Sequence, residues 1–130
     1  MSARRQRQMC IRDRDALIAP MIKQRSDRLF GLIAVSNALG WGNWHVAEHT
    51  PGASLEMVSL NGYEAIGYRH LHGEVARDPL CFMLTGVACG VMELLYSYGS
   101  LDERYGTFFS EEEECICCGS ERCLFVVEAA

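Results

Sequence analysis

The sequence lacks several features that would place it in common functional classes. It has no run of eighteen consecutive apolar residues, so we expect no membrane span. It also shows no export signal, because the apolar stretch 16–22 is too short and is interrupted by Pro20. Acidic residues outnumber Lys and Arg by 17 to 12, and the net charge of −5 argues against nucleic-acid binding. We therefore expect a cytoplasmic protein whose domain contacts neither a membrane nor a nucleic acid.

Two sequence patterns of redox enzymes are absent as well. There is no Gly-rich dinucleotide fingerprint and no Cys-x-x-Cys-x-x-Cys spacing for an iron–sulfur cluster. A reductase needs a source of hydride or electrons, and neither pattern is here to supply one. The sequence thus identifies no catalytic residue, and we expect no catalytic activity from the chain alone.

The 130 residues suffice for one domain with its own apolar core. The first fourteen residues differ from the rest because they hold five arginines. A basic arm for an acidic partner is one explanation. We prefer another, since the segment 5–14 resembles translated sequencing-adapter sequence. On this interpretation residues 1–14 are a non-native or disordered tail, and residues 15–130 are the domain, truncated at its N-terminus.

The first half of the domain changes from helical to strand periodicity. An apolar stripe with an N-cap at Ser26 and a stop at Gly40 predicts a helix over 26–39, preceded by another helical piece around Pro20. The segment 40–48 then predicts a turn into a strand, and 50–53 a second turn. Alternation over 55–60 predicts the next strand, and Asn61-Gly62 is typical of a hairpin turn. The segment 63–78 is expected to be part helix and part loop.

The second half contains the clearest helix of the chain. Apolar residues recur at four-three spacing after Pro79, as far as Tyr98, and small residues form a smooth face elsewhere on this helix. Segment 99–103 should end the helix. Strands are expected over 105–118 and 123–128, joined by a turn at Gly119. The expected fold class is therefore α+β.

Seven cysteines without an export signal suggest a reducing compartment, where clustered thiols are more often metal ligands than disulfides. Four of them crowd the predicted C-terminal hairpin with four consecutive glutamates. Glu112, Cys115 and Cys123 could supply three ligands of a tetrahedral zinc site. A bulge beside Gly119 would place Cys115 diagonal to Cys123 on one strand face. Glu112 could join them only from a twisted or bulged strand, because three residues separate it from Cys115.

The fourth ligand should come from the long helix. Cys81 lies near its start and about 100° round from the apolar stripe, whereas Cys89 is about 180° away and should point away from the sheet. We favour Cys81, although Cys89, Cys117 or Cys118 could take its place. Buried cysteines often act only as small apolar residues, which is the expectation for Cys89 and for one of Cys117 or Cys118. A second possibility, two imidazoles of His70 and His72 on one strand face, has no third ligand nearby in sequence.

Four segments of the chain resemble motifs of the 4-vinyl reductase (4VR) domain family and follow one another in the same order as in that family. The C-terminal pattern is Glu112-x-x-Cys115-x-x-x-Gly119-x-x-x-Cys123, followed by an apolar strand. The others are the glycine-aromatic segment 40–46, the segment 58–65 and the Cys-x-x-x-x-Gly helix start at 79–86. This family is related to the phenol-sensing domains of bacterial transcription activators, in which zinc is held by residues matching Cys81, Glu112, Cys115 and Cys123.

The resemblance implies an antiparallel sheet with helices packed on it, as in the ligand-binding domain of nitric-oxide-signalling and Golgi-transport proteins. It also implies a homodimer, a zinc cofactor and a pocket for a small apolar or aromatic molecule. Candidate pocket residues are Trp41, Trp44, Phe82, Met83, Met92 and Tyr96. The sequence departs from the phenol sensors by a longer segment before Glu112 and by the additional Cys117 and Cys118.

The favoured function is a zinc-containing module that binds or senses a small molecule, with the metal in a closed structural site. An accessory or carrier subunit in the vinyl reduction of tetrapyrroles, as in bacteriochlorophyll synthesis, is the alternative that the family name suggests. A thiol-based redox or metal-trafficking protein and a scaffold with an empty pocket are further possibilities.

Overall fold

The structure, a computed structural model, describes residues 27–73 and 75–130. The predicted helical piece around Pro20 and the tail 1–14 lie outside these residues. The elements in chain order are α1 (Arg28–Ala38), β1 (Trp44–Thr50), β2 (Ser54–Ser59), α2 (Tyr63–His72), α3 (Phe82–Tyr96), α4 (Leu101–Arg104), β3 (Phe108–Glu114), a 3-10 turn (Ile116–Cys118) and β4 (Cys123–Ala129). None of the described helices is long and apolar enough to cross a membrane.

The four strands form one antiparallel sheet in the order β1-β2-β4-β3. One face of the sheet is apolar because inward-facing residues alternate along β2 and β4, with Leu55, Phe125 and Val127 fully buried. Helices α1 and α3 pack on this face and on each other. The indole of Trp44 stacks on the Phe125 ring at 5.3 Å, which ties β1 to β4 across β2. The predicted α+β fold with an antiparallel sheet is confirmed.

Helix α3 is buried along most of its length. Its predicted stripe of Leu84, Val87, Val91 and Leu94 is buried, and so is the smooth face, because the backbone of β3 approaches it closely. The helix begins at Phe82, three residues after Pro79, and Tyr98 lies beyond its end. The prediction that Cys89 points away from the sheet is wrong: its thiol donates to the carbonyl of Phe108 in β3 at 3.3 Å.

The segment after β2 also differs from its prediction. Asn61-Gly62 does not close a hairpin, because β2 pairs with β1 and β4, and Gly62 instead caps α2. The side chain of Asn61 accepts a hydrogen bond from the Asn43 amide, which uses its turn-forming group in a tertiary contact. His70 and His72 therefore lie on a helix rather than on a strand face.

The N-terminus of α3 is held by a carboxylate from another helix. Glu64 in α2 accepts hydrogen bonds from the amides of Leu84 at 2.8 Å and Met83 at 3.1 Å. These amides belong to the first turn, which has no intrahelical acceptor for them. A negative charge at this end is also favoured by the helix dipole. Glu64 thus acts as a cap supplied from outside the helix.

We predict that Glu64→Ala lowers the free energy of unfolding by about 1–2 kcal/mol, because two helix N–H groups lose their acceptor. Chemical denaturation would measure the loss. Glu128→Ala, which removes an exposed carboxylate near the C-terminus, is the control and should change stability by less than about 0.5 kcal/mol. Equal stability of the two variants would contradict the capping role.

Candidate metal centre and apolar cavity

Three thiols and one carboxylate meet where α3 begins and the β3–β4 hairpin turns. Cys81 is the N-cap of α3, Glu112 lies on β3, Cys115 follows β3, and Cys123 opens β4. One potential ligand atom from each lies within 4.8 Å of all the others. The three cysteines are at most 1% exposed. The four residues predicted as metal ligands are therefore brought together, while metal binding itself stays a prediction.

A bulge in β3 makes this arrangement possible. The ladder pairs Glu112 with Phe125 and Glu114 with Leu124, so Glu113 has no partner across the ladder. In a regular strand, residues three apart face opposite sides. The extra residue changes the alternation and turns Cys115 to the inner face, where Glu112 already lies beside Phe125. The bulge was expected beside Gly119; it lies nearer β3 because residues 116–118 leave the strand as a 3-10 turn.

The sulfur positions agree with tetrahedral coordination. The Cys81 Sγ lies 3.8 Å from the Cys123 Sγ and 3.9 Å from the Cys115 Sγ. Two thiolates bound to one zinc ion at about 2.3 Å would be about 3.8 Å apart at the tetrahedral angle. Both of these pairs are therefore already at the spacing that one zinc ion requires.

Backbone amides support the acidic groups of the cluster. The Cys81 amide donates to Glu112 Oε1 at 3.0 Å, and the Ile116 amide donates to the Cys123 Sγ at 3.3 Å. Among the described residues, the second oxygen, Oε2 of Glu112, is buried without a hydrogen-bond partner. A buried carboxylate oxygen without a donor is costly, so a cation beside it would satisfy a group that the chain leaves open. These observations fit a zinc ion.

The pKa values of the three thiols in the cluster shift in different directions. The hydrogen bond with Cys123, together with burial, raises the pKa of the Cys81 thiol well above its usual range. The same hydrogen bond lowers the pKa of Cys123. Burial raises the pKa of Cys115. The opposite shifts favour Cys81 as the donor to Cys123, and a metal ion would have to displace the protons that the thiols carry.

A second thiol group adjoins the first. Cys115, Cys117 and Cys118 lie with their sulfur atoms within 4.8 Å of one another, and the Cys115 and Cys117 Sγ atoms are only 2.8 Å apart. Cys117 is fully buried and Cys118 half-buried. Cys117 and Cys118 are predicted as alternatives for the fourth ligand, with one of them a small buried apolar residue; the 3-10 turn gathers both around Cys115.

The six predicted pocket residues lie in different surroundings. Trp44 and Met92 are buried in the core, and Trp41 is half-buried against it. Met83 is exposed. Phe82 borders a cavity of about 340 Å³ beside the thiol cluster, which Cys81, Thr85 and Glu112 also line. Only Tyr96 lines the larger cavity.

That larger cavity measures about 440 Å³ and lies at the other end of α3. Its walls are mostly apolar, with Leu29, Phe30, Pro51 and Leu95 among the lining residues. The Tyr96 hydroxyl and His49 Nε2 form a hydrogen bond of 2.8 Å at its wall. Burial lowers the pKa of His49 and raises the pKa of Tyr96, so both groups are uncharged at neutral pH. The cavity thus offers mostly apolar surface, one neutral polar pair and, from α1, the charged Arg28.

The sequence does not reveal two residues, His49 at the wall of the larger cavity and Glu64 at the start of α3. Nothing in the local pattern connects His49 with Tyr96, which follows it by 47 residues, because their contact arises only when α3 crosses β1. Glu64 likewise reaches α3 only through tertiary packing. The sequence gives one signal for Glu64, its position in the first turn of the predicted helical part of 63–78, where carboxylates commonly interact with helix amides.

No protein-family model and no curated protein matches the chain. Among solved structures, the chain is similar to the phenol-responsive sensory domain of the transcription activator PoxR, determined with phenol. The TM-score is 0.73 at 20% sequence identity, and the match covers 98% of this chain and 62% of the other. This chain therefore spans less than two thirds of that structure's length. The likeness establishes the fold; the 4-vinyl reductase resemblance and the tetrapyrrole alternative stay predictions.

The bulge allows a test of the strand register. Deleting Glu113 should leave Glu112 and Cys115 two residues apart on one face of a regular strand, so cobalt(II) affinity should stay within about threefold of wild type. Deleting Glu113 and Glu114 together should turn Cys115 to the opposite face and weaken affinity by more than about tenfold. Absorption titration would measure both. Equal loss in the two deletions would contradict the proposed register.

Proposed function

We propose that the chain is a zinc-containing module that binds or senses a small apolar or aromatic molecule. The observation that carries the metal part is the convergence of Cys81, Glu112, Cys115 and Cys123 within 4.8 Å. The ligand part is supported by the cavity at Tyr96 and by the fold, which resembles a domain determined with phenol. We also assign the chain to the 4-vinyl reductase domain family, on its ordered motifs, and expect a homodimer.

The metal would have a structural role. Three thiolates and one carboxylate fill the four positions of a tetrahedral zinc ion and leave none for a substrate. Zinc would thus supply a crosslink rather than a reactive water. Cys81 would anchor the start of α3, while Cys115 and Cys123 would anchor the two sides of the hairpin. Three separated parts of the chain would then depend on one ion for their relative positions.

The ligand would occupy the cavity between α1, β1 and the end of α3. A volume of about 440 Å³ falls within the range of small-molecule sites. Apart from Arg28, the lining is mostly apolar and favours an uncharged ligand. The hydrogen-bonded pair of His49 and Tyr96 can exchange its mutual bond for one to a hydroxyl or carbonyl. A single-ring aromatic compound with one polar group combines these properties.

If zinc is structural, the stability of the protein should depend strongly on chelators. Purified protein should contain one zinc per chain, and a chelator should lower the melting temperature by about 10 °C or more, since structural zinc contributes folding free energy directly. Elemental analysis and thermal denaturation measure the two effects. Absence of zinc together with an unchanged melting temperature would contradict the metal site.

Two cysteines of the same helix region provide a matched comparison. Cys81→Ala should lose the metal because one of four ligands is gone, whereas Cys89→Ala removes an equally buried thiol from outside the cluster. Cys89→Ala should retain about one zinc per chain even if the apolar core loses some stability. Retention of zinc in both variants would contradict the assignment of Cys81 as a ligand.

The cavity can be tested with two probes of similar shape. Phenol should bind more tightly than toluene, by about 2–10-fold, because only phenol can hydrogen-bond with the polar pair. Tyr96→Phe should remove most of that preference. The control is Tyr98→Phe, since Tyr98 lies two residues beyond the helix end and is 76% exposed. Calorimetric titration measures the affinities, and failure of both probes to bind would contradict this ligand class.

A further inference from the structure

The turn after β3 concentrates three thiols in four residues. The Cys118 and Ser120 amides both donate to the Cys115 carbonyl, at 3.0 and 3.2 Å, which closes the chain around Cys115. Gly119 continues the turn with a φ of 98°, a conformation that favours glycine. The turn is also held from outside, because the Ala76 amide donates to the Cys117 carbonyl at 2.6 Å. The three side chains therefore face each other in a fixed backbone.

The distance between Cys115 and Cys117 does not suit two ligands of one metal ion. Their Sγ atoms are 2.8 Å apart, while Cys115 and Cys81 are separated by 3.9 Å. Two thiolates on one zinc ion require about 3.8 Å. Cys117 is accordingly too close to Cys115 to join the same coordination shell, and the contact needs another explanation.

The contact does suit a disulfide precursor. Ile116 is in the 3-10 turn, so the Cα atoms of Cys115 and Cys117 are about 5 Å apart from helix geometry. Disulfide-bonded cysteines have Cα separations of roughly 4.4–6.8 Å. The S–S bond can therefore form by rotation of the two side chains, without opening the turn.

The three thiols of the turn differ in their exposure to solvent. Cys115 and Cys117 are 1% and 0% exposed, whereas Cys118 is half-buried. All three sulfur atoms lie within 4.8 Å of each other, so an oxidised Cys118 is in reach of both buried thiols. Cys118 is thus the thiol that a small oxidant in solution meets first.

We propose that the turn 115–118 is a thiol-oxidation site, at which a hydroperoxide joins Cys115 to Cys117 as a disulfide. Hydrogen peroxide transfers one oxygen to the Cys118 thiol, giving a sulfenic acid and one water. The Cys115 thiol displaces the hydroxyl as a second water and forms an S–S bond to Cys118. Cys117 then attacks the Cys115 Sγ, the bond to Cys118 breaks, and Cys118 regains a proton. In sum, two thiols lose two electrons and two protons.

The disulfide has a consequence that rests on the proposed function. Cys115 is one of the four candidate zinc ligands, and a disulfide sulfur is no longer a thiolate that can hold the ion. Oxidation would leave Cys81, Glu112 and Cys123, so the metal is released and the crosslink between α3 and the hairpin is lost. Thiol–disulfide exchange with a cellular dithiol would restore the site.

The experiment treats the full chain, zinc-loaded and metal-free, with hydrogen peroxide. Peptide mapping without reduction should find Cys115 and Cys117 joined, with Cys118 available to alkylation, and a chromogenic chelator should detect zinc release at the same rate. Cys118→Ala should slow formation by about fivefold or more, since the accessible thiol is gone. The double variant Cys117→Ala/Cys118→Ala should form no disulfide at Cys115 and retain its zinc. Cys89→Ala is the control and should react like wild type.

The outcomes separate the two proposals. Disulfide formation in a protein that never binds zinc would support the oxidation site and contradict the zinc-containing module. Zinc retained on the wild-type chain after complete formation of the disulfide would overturn the release step. Peroxide treatment that leaves Cys115 unlinked in both the zinc-loaded and the metal-free wild-type protein would overturn the oxidation site itself. That last result needs no variant, so a substitution that fails to fold cannot obscure it.

Discussion

The one-residue bulge in β3 is the constraint on which the thiol cluster depends. Glu113 has no partner across the ladder, and because of this Glu112 and Cys115 share the inner face although three residues separate them. Cys123 is reached from the paired strand, and Cys81 from the helix that packs over it. With a regular strand, Cys115 would face outward, and the cluster would keep only two of its three thiols.

Two glutamates from different elements converge on the start of α3. Glu112 accepts a hydrogen bond from the amide of Cys81, the N-cap, while Glu64 accepts from two amides of the first turn. The positive end of the helix dipole thus lies between a capping carboxylate and the acidic cluster. Four ionised ligands around one divalent ion would carry excess negative charge, and this helix end together with the N–H bond to Cys123 offsets part of it. Helix α2 and the hairpin both contact the start of α3 because each supplies a carboxylate to its positive end.

The candidate ligands could be predicted from sequence because their chemistry and spacing are local. Cys115 and Cys123 flank one turn, and helical phase selected Cys81 over Cys89 near a helix start. The same reasoning gave the wrong direction for Cys89, since phase relative to one apolar stripe has little meaning in a helix buried on nearly all sides. Asn61-Gly62 shows the opposite failure: a strong local turn signal was overruled when the Asn61 side chain bonded to the Asn43 amide and α2 began. At the wall of the large cavity Tyr96 was predicted but its partner His49 was not, because the pair forms only in the tertiary structure.

The cluster and the cavity occupy opposite ends of the same helix. Fifteen residues separate Cys81 from Tyr96, which at about 1.5 Å per residue is about 22 Å along the axis of α3. Between them the helix is buried among β3, β4 and α1, so a shift at its N-terminus cannot be absorbed by local bending without disturbing close-packed side chains. The helix therefore connects the thiols with the cavity as one packed element. If Cys81 holds a metal ion as proposed, a change in its ligation would act on the helix that also carries Tyr96.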